Sequence, residues 1–225
     1  MLAELSKMAA NYSLVKPKDF SGIVNFCIGQ NKFICTMTED SVKIEEGYSD
    51  QQLLDFLMEP ETFEKLKNGT WTALTAAGRE DMRQSAPLDF KLGAAQKLSA
   101  EILHLTYHLG THFFTLEYPQ VIRFGPDNTR LVHGGNAAAL AYGYGVRFAY
   151  YTITGDEQIN REEDKNPFYQ LVCIIGGRGT AWVAGKEILL EKGIAIYVPI
   201  NETHIFRAAE GHRLELFILM YGPGA

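Results

Sequence analysis

Histidine binds metal ions and carries protons near neutral pH more readily than other side chains. Two stretches of this chain place histidines where such chemistry could be done. In "EILHLTYHLGTH" (101–112), His104 and His108 stand four apart, with Glu101 three residues before the first. On a helix these three project from one face, a spacing that can bind zinc. Lys97 falls on the same stripe and competes for Glu101. The stripe lies about 100° round the helix from Leu98, Ile102, Leu105 and Leu109, so it can equally flank a buried face. Histidines near a helix C-terminus need no metal, because the helix dipole favours positive charge there. His112 follows Gly110, read as the C-terminal glycine, and is expected outside the helix. In "GIAIYVPINETHIF" (193–206), His204 closes a strand-turn-strand and would be one ligand of a metal site whose other ligands lie elsewhere. Nucleophilic chemistry has little support. No serine sits in a Gly-x-Ser-x-Gly turn, no Walker loop is present, and no cysteine has a histidine near it in sequence.

The elements that must position these residues differ between the two halves. "GIVNFCIG", "KFICTM" and "SVKIEEG" predict an antiparallel meander. Ser49 with Gln52 makes a capping box ahead of Leu53, Leu54, Phe56 and Leu57, which predicts a helix. Pro60 ends it and opens another, carrying Phe63 and Leu66 and stopped by Gly69. A longer helix is predicted from about Gly93 to Leu109. After it the helical pattern gives way to short runs such as "VRFAYYTITG", "FYQLVCIIGG", "TAWVAGKEILL", "AIYVPI" and "LELFILMYG". Several short strands in that space predict a β-sandwich or barrel. The boundary falls near residue 112: a small α/β domain over 1–112, ending in a connector helix, then an all-β domain over 113–225.

Bulk properties narrow the function classes. The chain has 225 residues, 46% of them hydrophobic, enough for a real core in each half. Residues 1–112 carry 11 Lys+Arg against 15 Asp+Glu (−4), and residues 113–225 carry 10 against 12 (−2), so neither half has the basic excess of a nucleic-acid binder. No apolar run approaches the roughly 20 residues of a membrane span. "MLAELSKMAANYS" lacks the apolar stretch of a secretory signal. Cys27, Cys35 and Cys173 read as buried free thiols, and together these features predict a cytoplasmic protein. If Cys27 and Cys35 faced each other across a hairpin they would form a redox pair.

"GIAIYVPINETH" is similar to the second motif of the cupin family: glycine, five residues, proline, one residue, glycine, two residues, histidine. Gly193, Pro199 and His204 match in spacing, and Asn201 replaces the turn glycine, a mild change because asparagine tolerates the left-handed conformation. "IIGGRGTAWVAGKEILLEKG" resembles the stretch between the two cupin motifs, with a hairpin at Ala184-Gly185. The resemblance covers about residues 140–220 and implies a jelly-roll barrel. Its first motif departs: counting back from Gly177 puts Gln170 at the glutamate position and Asn166 and Asp164 at the two histidine positions. Of the four ligands the family would supply, only His204 remains. Amides are weak, neutral donors, so Asp164, Asn166, Gln170 and His204 would hold a transition metal poorly but can hydrogen-bond a polar organic ligand. If a divalent metal does bind, His204 with Asp164 and Gln170 would hold it.

Strand alternation places Gln170 with Val172 and Ile174 on one face, and His204 with Phe206 on another strand's face. Facing inward, they would line a mostly apolar pocket with a small polar cluster. Along "YGYGVRFAYY", the face of Tyr142, Tyr144, Val146, Phe148 and Tyr150 is the more apolar and is expected inward. Arg147, with Ala149 and Tyr151, is then expected to face solvent; an inward Arg147 would pair with an acidic ligand. The ligand-binding set is therefore His204, Gln170, Asn166, Asp164, Phe206 and Arg147.

Residues 20–92 resemble a sterol-carrier-protein-type domain in element order, which implies an apolar tunnel for an acyl chain or similar lipid; a solid-cored α/β domain is the rival. The fold expected is an α+β N-terminal domain followed by an all-β cupin-like barrel. The function expected is small-molecule binding without a catalytic metal, by a homodimer. Two rivals stand: a metal-dependent cupin oxygenase or isomerase with atypical ligands, and a structural dimerisation module.

Overall fold

The computed structural model describes residues 1–80 and 83–225. Two compact units divide the chain, one built from residues 1–77 and 83–123, the other from residues 124–225 joined by residues 78–80. Among the described residues no helix is long and apolar enough to cross a membrane.

The first unit runs α1 (Leu2–Ser13), β1 (Gly22–Ile28), β2 (Asn31–Met37), β3 (Val42–Glu46), β4 (Leu54–Met58), α2 (Pro60–Lys67), α3 (Ala73–Ala77), β5 (Leu88–Leu92) and α4 (Ala100–His112). Its sheet has the order β3-β2-β1-β4-β5, with β1 and β4 parallel and the other pairs antiparallel. The meander and the helix opened by Pro60 occur where expected, but β4 stands between them. α1 buries Leu5, Met8, Ala9 and Tyr12, one helical stripe, in the same core as Val24, Phe26 and Ile28 of β1.

Three expectations are corrected here. "LLDFLM" is strand β4, not a capped helix: it lies between β1 and β5 and is buried on both faces, so its apolar residues do not alternate and its one charged residue, Asp55, is buried as well. Its Ser49–Gln52 approach is a crossover loop instead. α4 begins at Ala100, where the Ser99 hydroxyl accepts from the Ile102 amide at 3.2 Å, and Leu98 lies outside it, 61% exposed. Gly110 is inside that helix rather than capping it. A β-carbon there would come within 2.9 Å of Leu74, so the glycine allows α3 to approach closely. The unit also extends past residue 112 to Arg123, because Phe113 and Phe114 join its core, Phe113 stacking on Phe26 at 4.6 Å between ring centroids.

Cys27 pairs across the hairpin with Lys32, and Cys35 with Val24, so the two thiols do not face each other. All three cysteines are free. Burial pushes the Cys35 thiol up to about 12.

The second unit comprises β6 (Arg130–Val132), β7 (Gly135–Gly143), β8 (Val146–Thr154), β9 (Gln158–Ile159), β10 (Tyr169–Gly176), β11 (Arg178–Val183), β12 (Lys186–Glu191), β13 (Ala195–Val198), β14 (His204–Ala208) and β15 (Arg213–Tyr221). A six-stranded sheet of order β13-β10-β15-β8-β7-β6 faces a four-stranded sheet of order β12-β11-β14-β9 in a cupin-like barrel. Its interior holds Ala149, Tyr151 and Ile153 of β8, Val172 and Ile174 of β10, Phe206 of β14, and Leu214, Leu216 and Ile218 of β15. A β-carbon at Gly177, which has a φ of 78°, would sit 1.6 Å from the Arg213 carbonyl, so only glycine fits between β10 and β11.

β8 therefore faces the opposite way from expectation. Ala149 and Tyr151 point inward, while Phe148 and Tyr150 lie on the outer face, clustered with Phe217 and Phe124. Arg147 shares the inward face. Tyr144 belongs to the β7–β8 turn and is 82% exposed.

The crossover loop into β4 is pinned by polar groups beneath it. Asn25 of β1, fully buried, donates to Asp55 Oδ1 and to the Ser49 carbonyl, both at 2.9 Å, and accepts from the Ser49 amide at 3.1 Å. Tyr48 and Gln52 donate to Asp55 Oδ2. Replacing Asn25 with alanine would leave these groups unpaired under cover, at a cost of about 2 kcal/mol. The measurement is the urea midpoint of this unit, followed by Trp71 fluorescence in a Trp182→Phe background. An unchanged midpoint would show that the loop is not held this way.

Candidate functional site

The turn between β13 and β14 sets His204 in place. Asn201 takes the left-handed conformation at φ 58°, as expected of the residue standing where the motif glycine would be, and its amide donates to the Asn166 carbonyl at 2.8 Å. That bond holds the loop before β10 against the turn before β14. His204 opens β14 and is fully buried; Gln170, next to the start of β10, is 1% exposed.

The two meet. Gln170 Nε2 lies 2.9 Å from His204 Nε2, and Asn166 Nδ2 lies 3.3 Å from the same nitrogen. On the other side of the ring, Nδ1 is 3.0 Å from the Glu202 carbonyl, which can only accept. Nδ1 therefore carries the proton, and Nε2 accepts from both amides. Burial holds the imidazole below the ordinary histidine range, against the opposing pull of the Glu202 carbonyl and the Asp164 carboxylate. The result is a neutral imidazole clamped by two amides.

The other expected residues fall around this centre in different ways. Asp164 stands close enough to act on the imidazole through its charge, but its Oδ2 accepts from the Arg161 amide at 2.8 Å, closing its own turn. Phe206 lies deeper, fully buried opposite Ala181 and Ile159, with its ring 6.4 Å from that of His204. Arg147 comes in from the six-stranded sheet. Val198, Gln170, Met220, Arg147 and Tyr142 are successive register partners across β13, β10, β15, β8 and β7, and so form one row at the His204 end of the barrel. The Arg147 guanidinium is 5.6 Å from the Tyr142 ring and 5.7 Å from that of Phe168.

Tyr142 and Phe168 extend the cluster beyond the residues picked out from sequence. A bulge between Ala139 and Ala141 shifts the β7 register and brings Tyr142 beside Arg147, a change with no local sequence signal. Phe168, 7% exposed, lies in "NPFYQ" directly before β10, where its aromatic character was the available hint.

The resemblance of the His204 segment to a metal-binding motif raises the question of a metal, and the donor set does not fit a transition ion. Both amide NH2 groups are aimed at the one imidazole lone pair that an ion would need. Among the described residues no group of three or more histidine, cysteine or carboxylate side chains is placed to hold one. The nitrogen is already coordinated, by hydrogen.

The histidine ladder of α4 is packed into the first unit. His104, His108 and His112 follow one another along the helix, His112 being its last residue rather than lying beyond it. Phe20 meets His104 and His108 edge-on at 5.0 and 5.4 Å. The Tyr12 hydroxyl is hydrogen-bonded to His108 Nδ1 at 3.0 Å, and His112 Nδ1 is 3.0 Å from Gln120 Oε1. Glu101 accepts from Ser99 near the other end of the helix, and Lys97 precedes the helix altogether. The ladder buttresses α1 rather than forming a zinc site. The same unit holds a cavity of about 290 Å³, lined by Trp71 and Phe114 but also by Lys67, Thr72, Gln120 and Arg123, a mixed surface rather than the apolar tunnel expected for a lipid.

Comparison with known proteins bears on the second unit. Residues 149–225 match the family model of the AraC-like ligand binding domain. The match begins inside β8 and takes in every strand that contributes Gln170 and His204. No curated protein matches the chain in sequence. Among solved structures, a protein from Photorhabdus luminescens is similar at 12% identity and TM-score 0.41, over 45% of this chain and 87% of that one. A cupin 2 conserved barrel domain protein from Salinispora arenicola is similar at 13% identity and TM-score 0.41, over 46% of this chain and 88% of its own. A predicted oxalate decarboxylase from Thermotoga maritima is similar at 15% identity and TM-score 0.36, over 39% and 79%.

The buried histidines make stability depend on pH. Burial first, then His112, His104 and Lys16, push His108 down to about 4 from 6.5, and His204 moves in the same direction. The unfolded chain therefore binds protons that the folded chain refuses. Stability is full above pH 6.5 and falls as the pH drops toward 4. Histidine ring signals followed by NMR should show His108 titrating well below the free imidazole. A normal titration would mean that the ladder is open to solvent.

Proposed function

We propose that the second unit is a small-molecule-binding cupin module whose ligand sits at the His204 end of the barrel, and that His204 serves there as a neutral hydrogen-bonding group. The observation that carries this reading is the convergence of the Gln170 and Asn166 amides on His204 Nε2. A metalloenzyme needs that lone pair free; a recognition site needs polar groups held rigidly in a mostly apolar wall. The match of this unit to a ligand-binding family model supports the same reading.

The clamp fixes which hydrogen-bonding groups remain for a ligand. With the imidazole lone pair taken, the amide oxygens of Gln170 and Asn166 and the second hydrogen of each NH2 are the groups still available. They suit a compact polar molecule with both donors and acceptors. The first unit's cavity has its own mixed lining and is a separate place for a ligand.

Elemental analysis of the untagged full chain, together with native mass spectrometry, tests the proposal. The expected result is substoichiometric iron, manganese, nickel and zinc, with any bound mass being organic and released on denaturation. Stoichiometric metal that disappears in His204→Ala would overturn it. Gln170→Leu, which leaves Nε2 with one donor fewer, should cost about 1–3 kcal/mol of stability and release the bound mass.

A further inference from the structure

Arg147 is anomalous in the barrel. It faces the interior on the same side of β8 as Ala149, Tyr151 and Ile153. Its Nε is buried and has no hydrogen-bond partner, and no carboxylate pairs with its guanidinium among the described residues. It lies against the rings of Tyr142 and Phe168, which hold a guanidinium by its charge but accept none of its in-plane N–H bonds, and its charge also acts on Tyr151, further along the same face. Arg147 is half-buried, and a cation drawn inward without a counter-ion loses hydration it would keep at the surface. Its neighbours in the row, Met220, Gln170 and Val198, are uncharged, and the nearby imidazole is kept neutral by burial.

We infer that this row is a carboxylate-binding subsite, with Arg147 reading the anion and the Tyr142 and Phe168 rings forming its walls. The inference rests on the ligand-binding reading of the same barrel end and names the ligand class. A guanidinium presents parallel N–H donors that match the two oxygens of a carboxylate. One fixed positive charge among neutral groups suits a monoanion; a phosphate dianion would need a second cation, and no other member of this row carries one. The flanking rings favour a flat, apolar body attached to the carboxylate. Gln170, two strands from Arg147 or roughly 10 Å at ordinary strand spacing, can then meet a polar group at the far end of a small acid.

The experiment is a titration of the full chain with benzoate, benzamide and inorganic phosphate, by calorimetry and thermal shift, in wild type, Arg147→Gln and Arg147→Lys. Benzoate should bind at least tenfold tighter than its neutral isostere benzamide. That preference should vanish in Arg147→Gln and shrink in Arg147→Lys, while Trp182 fluorescence, read in a Trp71→Phe background, reports an intact barrel. Arg147→Met, which keeps the apolar stem, serves if the glutamine variant fails to fold. Equal binding of benzoate and benzamide, tighter binding of phosphate, or benzoate binding unaffected in Arg147→Gln would overturn the inference. A neutral organic ligand whose binding depends on His204 but not on Arg147 would overturn it while leaving the ligand-binding function standing. Metal lost in His204→Ala would instead remove the underlying reading.

Discussion

An imidazole nitrogen has one lone pair, and at His204 that pair accepts hydrogen bonds from two amides. The rest of the barrel end depends on this. The Glu202 carbonyl fixes the proton on Nδ1, and so leaves Nε2 as the acceptor on the inner side. Gln170 and Asn166 can supply donors there only because they are amides; a carboxylate at either place would need a protonated ring or an ion between them. The substitution of amides for ionisable ligands is thus a coherent change. It exchanges a site that gains its energy from metal coordination for one that gains it from buried, fully directed hydrogen bonds, worth more in a dry interior than at the surface.

Much of this end was legible in the sequence because its information is local. The spacing from Gly193 through Pro199 to His204 encodes a strand and a tight turn, and Asn201 takes the left-handed conformation that the turn requires. Counting back from Gly177, where any β-carbon would strike the Arg213 carbonyl, reached Gln170 and Asn166 although a bulge between Ile174 and Gly176 lies in the counted stretch and Asn166 precedes β10. Asp164 came from the same counting and Phe206 from strand alternation, but they hold other positions, one closing its own turn and one in the core.

What was not legible depends on partners distant in sequence. β4 lacks apolar alternation because it is covered on both faces, and nothing within "LLDFLM" reveals that β1 lies parallel beside it. The direction of β8 misled for a related reason. Its aromatic face is the more apolar, but Ala149, Tyr151 and Ile153 are the side chains that join the interior. Phe148 and Tyr150 go outward, where Phe124 and Phe217 give them a cluster of their own. α1 carries a helical stripe at Leu5, Met8, Ala9 and Tyr12, but the segment is short and has no side-chain cap to mark its start. The α4 histidines show a spacing that could suit a metal serving instead to pack against Phe20 and Tyr12, the plainer of the two readings the sequence left open.

The two unusual groups of the barrel end explain each other. Burial keeps His204 uncharged, and this leaves Arg147 as the one positive charge in its row. Had the imidazole been able to charge, the cluster would repel itself whenever a proton arrived, and any anion would be shared between two cations. The amide clamp prevents this by occupying Nε2, since protonation there would set two N–H groups of the amides against a third. The clamp therefore does more than stiffen the turn. With burial it lowers the pH at which this imidazole would charge, so that in the proposed site the reading of an anion falls to the shape of the walls and to a guanidinium whose charge does not vary.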